Sequence, residues 1–142
     1  MECSQALRVG DRRGVILPAA ISSGGRALLA DLTPQAVAKL YATTGQDRHT
    51  DMARLRRHLT TARQRGYAIN DQETEDGVSA MAVCLRDVAG EAVAALAIAV
   101  PSVRFTRGRQ PVLAAALRET AQRANAELAA AALVADSQPP GQ

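Results

Sequence analysis

The chain has 142 residues, enough for one domain with a real core, and 47% of them are hydrophobic, yet only Phe105, Tyr41 and Tyr67 are aromatic. The core must therefore be built from Ala, Leu, Val and Ile. The net charge of +3 rests on sixteen arginines and a single lysine. No apolar run approaches the roughly 20 residues that span a bilayer, and the first seven residues lack the regions of a signal peptide, so a cytoplasmic protein without membrane contact is expected. Cys3 and Cys84 lie far apart and suggest no disulfide framework.

In chain order, residues 4–9 and 15–17 read as short strands around a turn at 10–14 whose polar tip is Asp11, Arg12 and Arg13. Ser22 or Ser23 can cap a helix running to Asp31, its hydroxyl taking an otherwise unpaired backbone N–H. Thr33 caps a second helix with Pro34 at its first position and Val37, Leu40 and Tyr41 on its buried face. A polar loop over 43–50 leads into a basic helix from Asp51 to Arg65, ended by Gly66. Its buried stripe is Met52, Leu55, Leu59 and Ala62. The arginines 54, 56, 57, 63 and 65 that flank this stripe read as a solvated face rather than a nucleic-acid surface.

A strand over 67–70 precedes a polar, acidic loop over 71–76 and two longer strands, 78–86 and 92–100, joined by a tight turn at 87–91. Val78, Ala80, Ala82 and Cys84 face one way on the first of these, and Ser79, Met81, Val83 and Leu85 the other. Both faces are mostly apolar, which predicts a central strand covered on both sides. The second, AVAALAIAV, has no polar side chain, and its small residues leave volume that a helix or a ligand must fill. The last helix begins near Gln110 and Pro111 and runs to Leu133, with Leu113, Leu117, Ala121, Ala124 and Leu128 as its apolar stripe. Residues 135–142 (ADSQPPGQ) read as a disordered tail after a single domain over 1–134.

Catalytic and metal chemistry find little support. His49 falls in a polar loop and His58 on the basic helix, and no His/Cys cluster has metal-ligand spacing. Cys84 reads as an inert packed thiol. Asp71, Glu73, Glu75 and Asp76 imitate paired catalytic carboxylates but have no basic partner nearby in sequence, which favours a solvated loop. The run Ser22, Ser23, Gly24, Gly25 serves either as an ordinary helix cap or as a cradle for an anion. No catalytic residue, metal or cofactor is expected.

The order of pieces carries more than any one motif. Residues 65–101, RGYAINDQETEDGVSAMAVCLRDVAGEAVAALAIAVP, together with LRVG at 7–10, LP at 17–18 and GRALLA at 25–30, closely resemble the effector-binding domain of IclR-type bacterial transcriptional regulators. The resemblance spans about residues 5–129. It implies an α+β fold of the GAF/profilin-like kind, with a curved, mostly antiparallel sheet and flanking helices. It also implies a small-molecule effector, self-association as a dimer or tetramer, and contact with DNA only through an N-terminal winged helix-turn-helix that this chain lacks. Met1 is accordingly read as an artificial start or as the start of a natural fragment. A standalone metabolite-binding protein or a small enzyme of similar fold is the alternative.

In the family, small oxoacids present a carboxylate to backbone N–H groups of the helix-start loop, here Ser22, Ser23 and Gly24. The resemblance then points to an Asp, a Cys and two Ser whose positions are Asn70, Ala80, Ala97 and Ala99 in this chain. Three polar ligands have become methyl groups. A small oxoacid needs several hydrogen bonds, since each unmet polar group costs roughly 1–3 kcal/mol. The alanines therefore imply an aromatic or alicyclic acid or a mostly apolar metabolite, or else they only accommodate packing and the pocket is small or lost.

Overall fold

A computed structural model describes residues 13–137. Three capped helices come first. Ser22 caps α1 (Ser23–Asp31) by accepting the Gly25 N–H at 3.1 Å. Thr33 caps α2 (Pro34–Thr44) through the Ala36 N–H at 3.1 Å, with Pro34 in the first turn, where its missing N–H has no partner to lose. Asp51 caps α3 (Met52–Arg65), and Gly66, left-handed at φ 82°, ends it by donating to the Ala62 carbonyl.

Three strands follow, β1 (Ala68–Asp71), β2 (Val78–Arg86) and β3 (Ala92–Pro101), then the long helix α4 (Gln110–Asp136). The sheet is antiparallel in the order β1-β2-β3, with β2 central. This is the α+β architecture expected, and β2 is covered on both faces.

The two faces differ in side-chain size, and that difference places the helices. On one face Met81 and Val83 pack with Leu85, Leu96 and Ile98 against Ala114, Leu117 and Ala121 of α4. On the other, Ala68 and Ala82 meet Ala27 of α1 and Ala62 of α3, with Cys84 and Ala95 beside them. Methyl-sized side chains on sheet and helices let α1 sit close to the strands: a Cβ at Gly24 would lie 3.5 Å from that of Ala95. Outside α1 and α3, Leu29, Leu55 and Leu59 pack against Val37 and Tyr41 of α2.

Several boundaries and faces depart from expectation. Residues 15–17 form no strand among the described residues. Val15, Ile16 and Leu17 are exposed, Ile16 to 95%, and the chain turns at once at Pro18, whose carbonyl accepts the N–H groups of Ile21 and Ser22. The strand expected at 4–9 lies outside the described residues. β1 begins at Ala68 rather than Tyr67. Leu40 is 44% exposed because α2 is covered only along the Val37–Tyr41 line. Helix α4 extends three residues past Leu133, while Leu128 is exposed because the stripe has by then run beyond the sheet. Residues 138–142 of the expected tail lie outside the described residues.

Candidate functional site

The turn at 18–22 and the first turn of α1 form one compact unit. Ser22 spends its hydroxyl on the Gly25 N–H, and the Ser22 carbonyl accepts the Arg26 N–H. The N–H groups of Ser23 and Gly24 find no acceptor among the described residues. They are the unsatisfied donors of a helix start, with the positive end of the helix dipole behind them.

Strand register sets the rest. Asn70 pairs with Ala80 and Ala80 with Ala99, while Ala68 pairs with Ala82 and Ala82 with Ala97. Directly opposed residues share a face, so Asn70, Ala80, Ala97 and Ala99 lie together on the face that carries α1. The register therefore brings these four sequence-predicted positions to one face. Among the described residues that face is open at this end: Ala80 is half-buried and Ala97 and Ala99 are exposed. Asn70 is buried and already committed. Its Nδ2 donates to Thr74 Oγ1 at 2.8 Å and its Oδ1 accepts the Glu73 N–H at 2.8 Å, so it builds the 71–77 loop. One amide hydrogen remains to offer.

The acidic loop is not the solvated, unpartnered segment expected. Arg26, only 2% exposed, donates from Nη2 to Glu73 Oε1 at 2.8 Å and from Nη1 to Oε2. It also donates to the carbonyls of Ile69 and Ala20, each at 2.8 Å. Arg54 reaches Glu73 Oε1 at 3.0 Å from α3. One buried guanidinium thus ties the turn before α1, strand β1 and the acidic loop together. Burial pushes the Glu73 carboxyl up, but the hydrogen bonds and charge of Arg26, with Arg54 and His58, outweigh it and hold the pKa below the ordinary range. Burial and the Arg26 charge lower the His58 pKa, against a smaller upward pull from Glu73.

The basic helix is likewise less solvated than its pattern suggests. Arg63 donates to the Ala30 and Leu32 carbonyls at 2.9 Å, capping the end of α1. Arg65 lies 4.8 Å from the Tyr67 ring centroid, and Arg118 of α4 approaches that ring at 5.7 Å. No spacing rule reveals the bonds of Arg63 or the approach of Arg118, because each joins segments that are distant in sequence.

Two features bear on chemistry. The described residues hold no group of three or more His, Cys, Asp or Glu side chains suited to a metal. Cys84 donates to the Ala27 carbonyl at 3.2 Å, and burial, with the nearby Asp31 charge, raises its pKa, as suits an unreactive thiol. No described helix is long and apolar enough to cross a membrane.

Residues 1–126 match the family described as Bacterial transcriptional regulator IclR C-terminal. The HTH-type transcriptional repressor AllR of Escherichia coli (strain K12) is 32% identical over 127 residues, covering 86% of this chain and 47% of that protein. The chain thus spans about half the length of these relatives. Among solved structures, the Rhodococcus sp. RHA1 regulator RHA06195 aligns with a TM-score of 0.75 at 28% identity, over 88% of this chain and 54% of that one. The inducer-binding domain of PobR from Acinetobacter, a double mutant in complex with 3-hydroxybenzoic acid, aligns with a TM-score of 0.63 at 25% identity, over 77% of this chain and 66% of that one.

Proposed function

We propose, for a chain that belongs to the IclR family of bacterial transcriptional regulators as its effector-binding C-terminal domain, that the effector is a carboxylic acid with an apolar or aromatic body. The chain is a regulator domain and not an enzyme. In this reading the carboxylate sits on the Ser23 and Gly24 N–H groups beside the Ser22 cap. The body lies along Ala80, Ala97 and Ala99, and Asn70 holds the neighbouring loop and offers one amide hydrogen. The observation that carries the reading is the pair of N–H groups at the start of α1 without an acceptor among the described residues, beside the sheet face that carries Ala80, Ala97 and Ala99. PobR, crystallised with an aromatic acid, supports the ligand class.

The same reading makes the domain cytoplasmic and self-associating, as a dimer or tetramer, with DNA contacted through a separate winged helix-turn-helix. β3 is an edge strand among the described residues, with Val93 exposed, and an apolar edge favours a partner.

A thermal-shift screen of aromatic, alicyclic and short oxoacids tests the ligand class. A ligand well above its Kd adds about 2–4 kcal/mol, so benzoate-like acids should raise the Tm and glyoxylate should not. Ala97→Leu should weaken binding and Ala97→Ser should shift preference toward smaller, more polar acids. Stabilisation by glyoxylate alone, or an Ala97→Leu protein that folds and binds unchanged, would move the effector elsewhere.

A further inference from the structure

A half-open pocket lies at the other end of α1. A cavity of about 260 Å³ opens between the C-terminal ends of α1 and α3, over the start of β1 and the end of β2. Its lining includes Ala27, Ala30, Ala62, Ala68 and Ala82, with Cys84 and Tyr67 beside them. Asp31, Arg63 and Arg86 stand at its mouth. None of Ser22, Ser23, Gly24, Asn70, Ala80, Ala97 or Ala99 lines it. We propose that this cavity is a second ligand site, for a small monoanion with an apolar body of about one ring, independent of the effector face described above.

The wall chemistry sets the apolar body. Water in such a space needs two to four polar partners, and the one polar side chain among the alanines, Cys84, has already given its hydrogen to the Ala27 carbonyl. The mouth sets the sign of the charge. Arg86 engages Asp31 at 2.6 Å, which uses the carboxylate present. Arg63 binds the Ala30 and Leu32 carbonyls through Nε and Nη2, and its Nη1 has no acceptor among the described residues. Both Nη1 hydrogens thus remain for a carboxylate, and those same two carbonyl bonds already fix the orientation of the group.

Cys84 offers a local readout. Its alkylation by iodoacetamide at pH 8.5 is followed by peptide mass spectrometry, which separates it from Cys3. Benzoate is the probe, and cyclohexylammonium is the control of similar bulk and opposite charge. Benzoate at ten times its Kd should slow Cys84 alkylation roughly tenfold by mass action, and cyclohexylammonium should not. Ala30→Leu, which fills the cavity from a half-buried position, should abolish protection, and Arg63→Gln should weaken it severalfold. Ala97→Leu should leave it unchanged. Circular dichroism checks that each variant folds, and Arg63→Gln carries the test if Ala30→Leu does not. No protection by benzoate, equal protection in folded Ala30→Leu and Arg63→Gln, or protection lost in Ala97→Leu would each overturn the proposal. The last of these results would assign the effect to the effector face.

Discussion

Gly25→Ala should damage the turn that carries the helix-start N–H groups, and Gly24→Ala should not. A Cβ on Gly25 would stand 2.4 Å from Ala19 Cα, 2.6 Å from the Ala19 carbonyl oxygen and 2.7 Å from Ser22 Oγ. Unbonded carbons settle at about 3.5–4.0 Å, so the turn must retreat by about 1 Å. Overpacking of this kind costs about 1–3 kcal/mol. The retreat also carries away the Ser22 cap, worth about 1 kcal/mol, and strains the bond from Arg26 to the Ala20 carbonyl. A total near 3 kcal/mol follows. At Gly24 the added carbon meets only Ala95 Cβ, at 3.5 Å, and removing a glycine from the unfolded chain stabilises by about 0.4–1 kcal/mol. Urea unfolding of the two variants, with unchanged m-values, should separate them by about 3 kcal/mol. A Gly25→Ala protein within about 0.5 kcal/mol of wild type would refute the close packing of turn on helix.

Glu73→Gln leaves Arg26 buried with its anionic partner neutralised and one of its two acceptor oxygens replaced by an amide NH2. Breaking a fully buried pair costs about 3–5 kcal/mol; Glu73 is 14% exposed and glutamine retains one acceptor, so about 2 kcal/mol is expected, read by urea unfolding. The wild-type carboxyl is held below its ordinary value of 4.5. Its contribution should therefore be complete above that pH and lost as pH falls through the lower folded value. His58 works in the same direction at higher pH. Its folded pKa lies below 6.5, so the unfolded state takes up its proton first and stability should fall as pH drops below 6.5. In Glu73→Gln the His58 resonance should titrate lower still by NMR, because the carboxylate that pulls it up is gone; an upward move would contradict the placement.

Elements with local causes were legible in the sequence. Ser22, Thr33, Asp51 and Gly66 act within three or four residues of themselves and set the helix ends as their chemistry dictates. The alternation in 78–86 gave both faces of β2. Contacts that depend on tertiary placement were not legible. Arg26 sits in a run, GRALLA, that reads as ordinary amphipathic helix, and its partner Glu73 is 47 residues away. Their pairing needs α1 laid across β1, which neither segment encodes alone. The cavity escaped for a related reason: Ala30, Ala62, Ala68 and Ala82 come from four elements, and each alone reads as routine packing.

The alanines of β3 do not all have the same cause, and substitution should separate them. Alanine is a poor strand former, and valine at an accommodating site is better by up to about 1 kcal/mol. Ala95 packs against the cluster that holds Ala27, and a Cβ on Gly24 would already touch its methyl at 3.5 Å, so helix α1 leaves little room for more than a methyl there. Ala97 and Ala99, two and four residues on, face the same way but are exposed among the described residues, so the packing seen there gives no reason for small side chains. Ala95→Val should therefore lose about 1–3 kcal/mol by pushing on α1. Ala97→Val should be neutral or slightly stabilising, yet it should weaken binding of a benzoate-like effector, because the space it takes is the ligand's. Urea unfolding and calorimetric titration on the same two proteins decide the matter. If Ala97→Val costs as much stability as Ala95→Val, the alanine rungs beyond α1 serve packing, and the effector reading of this face loses its basis.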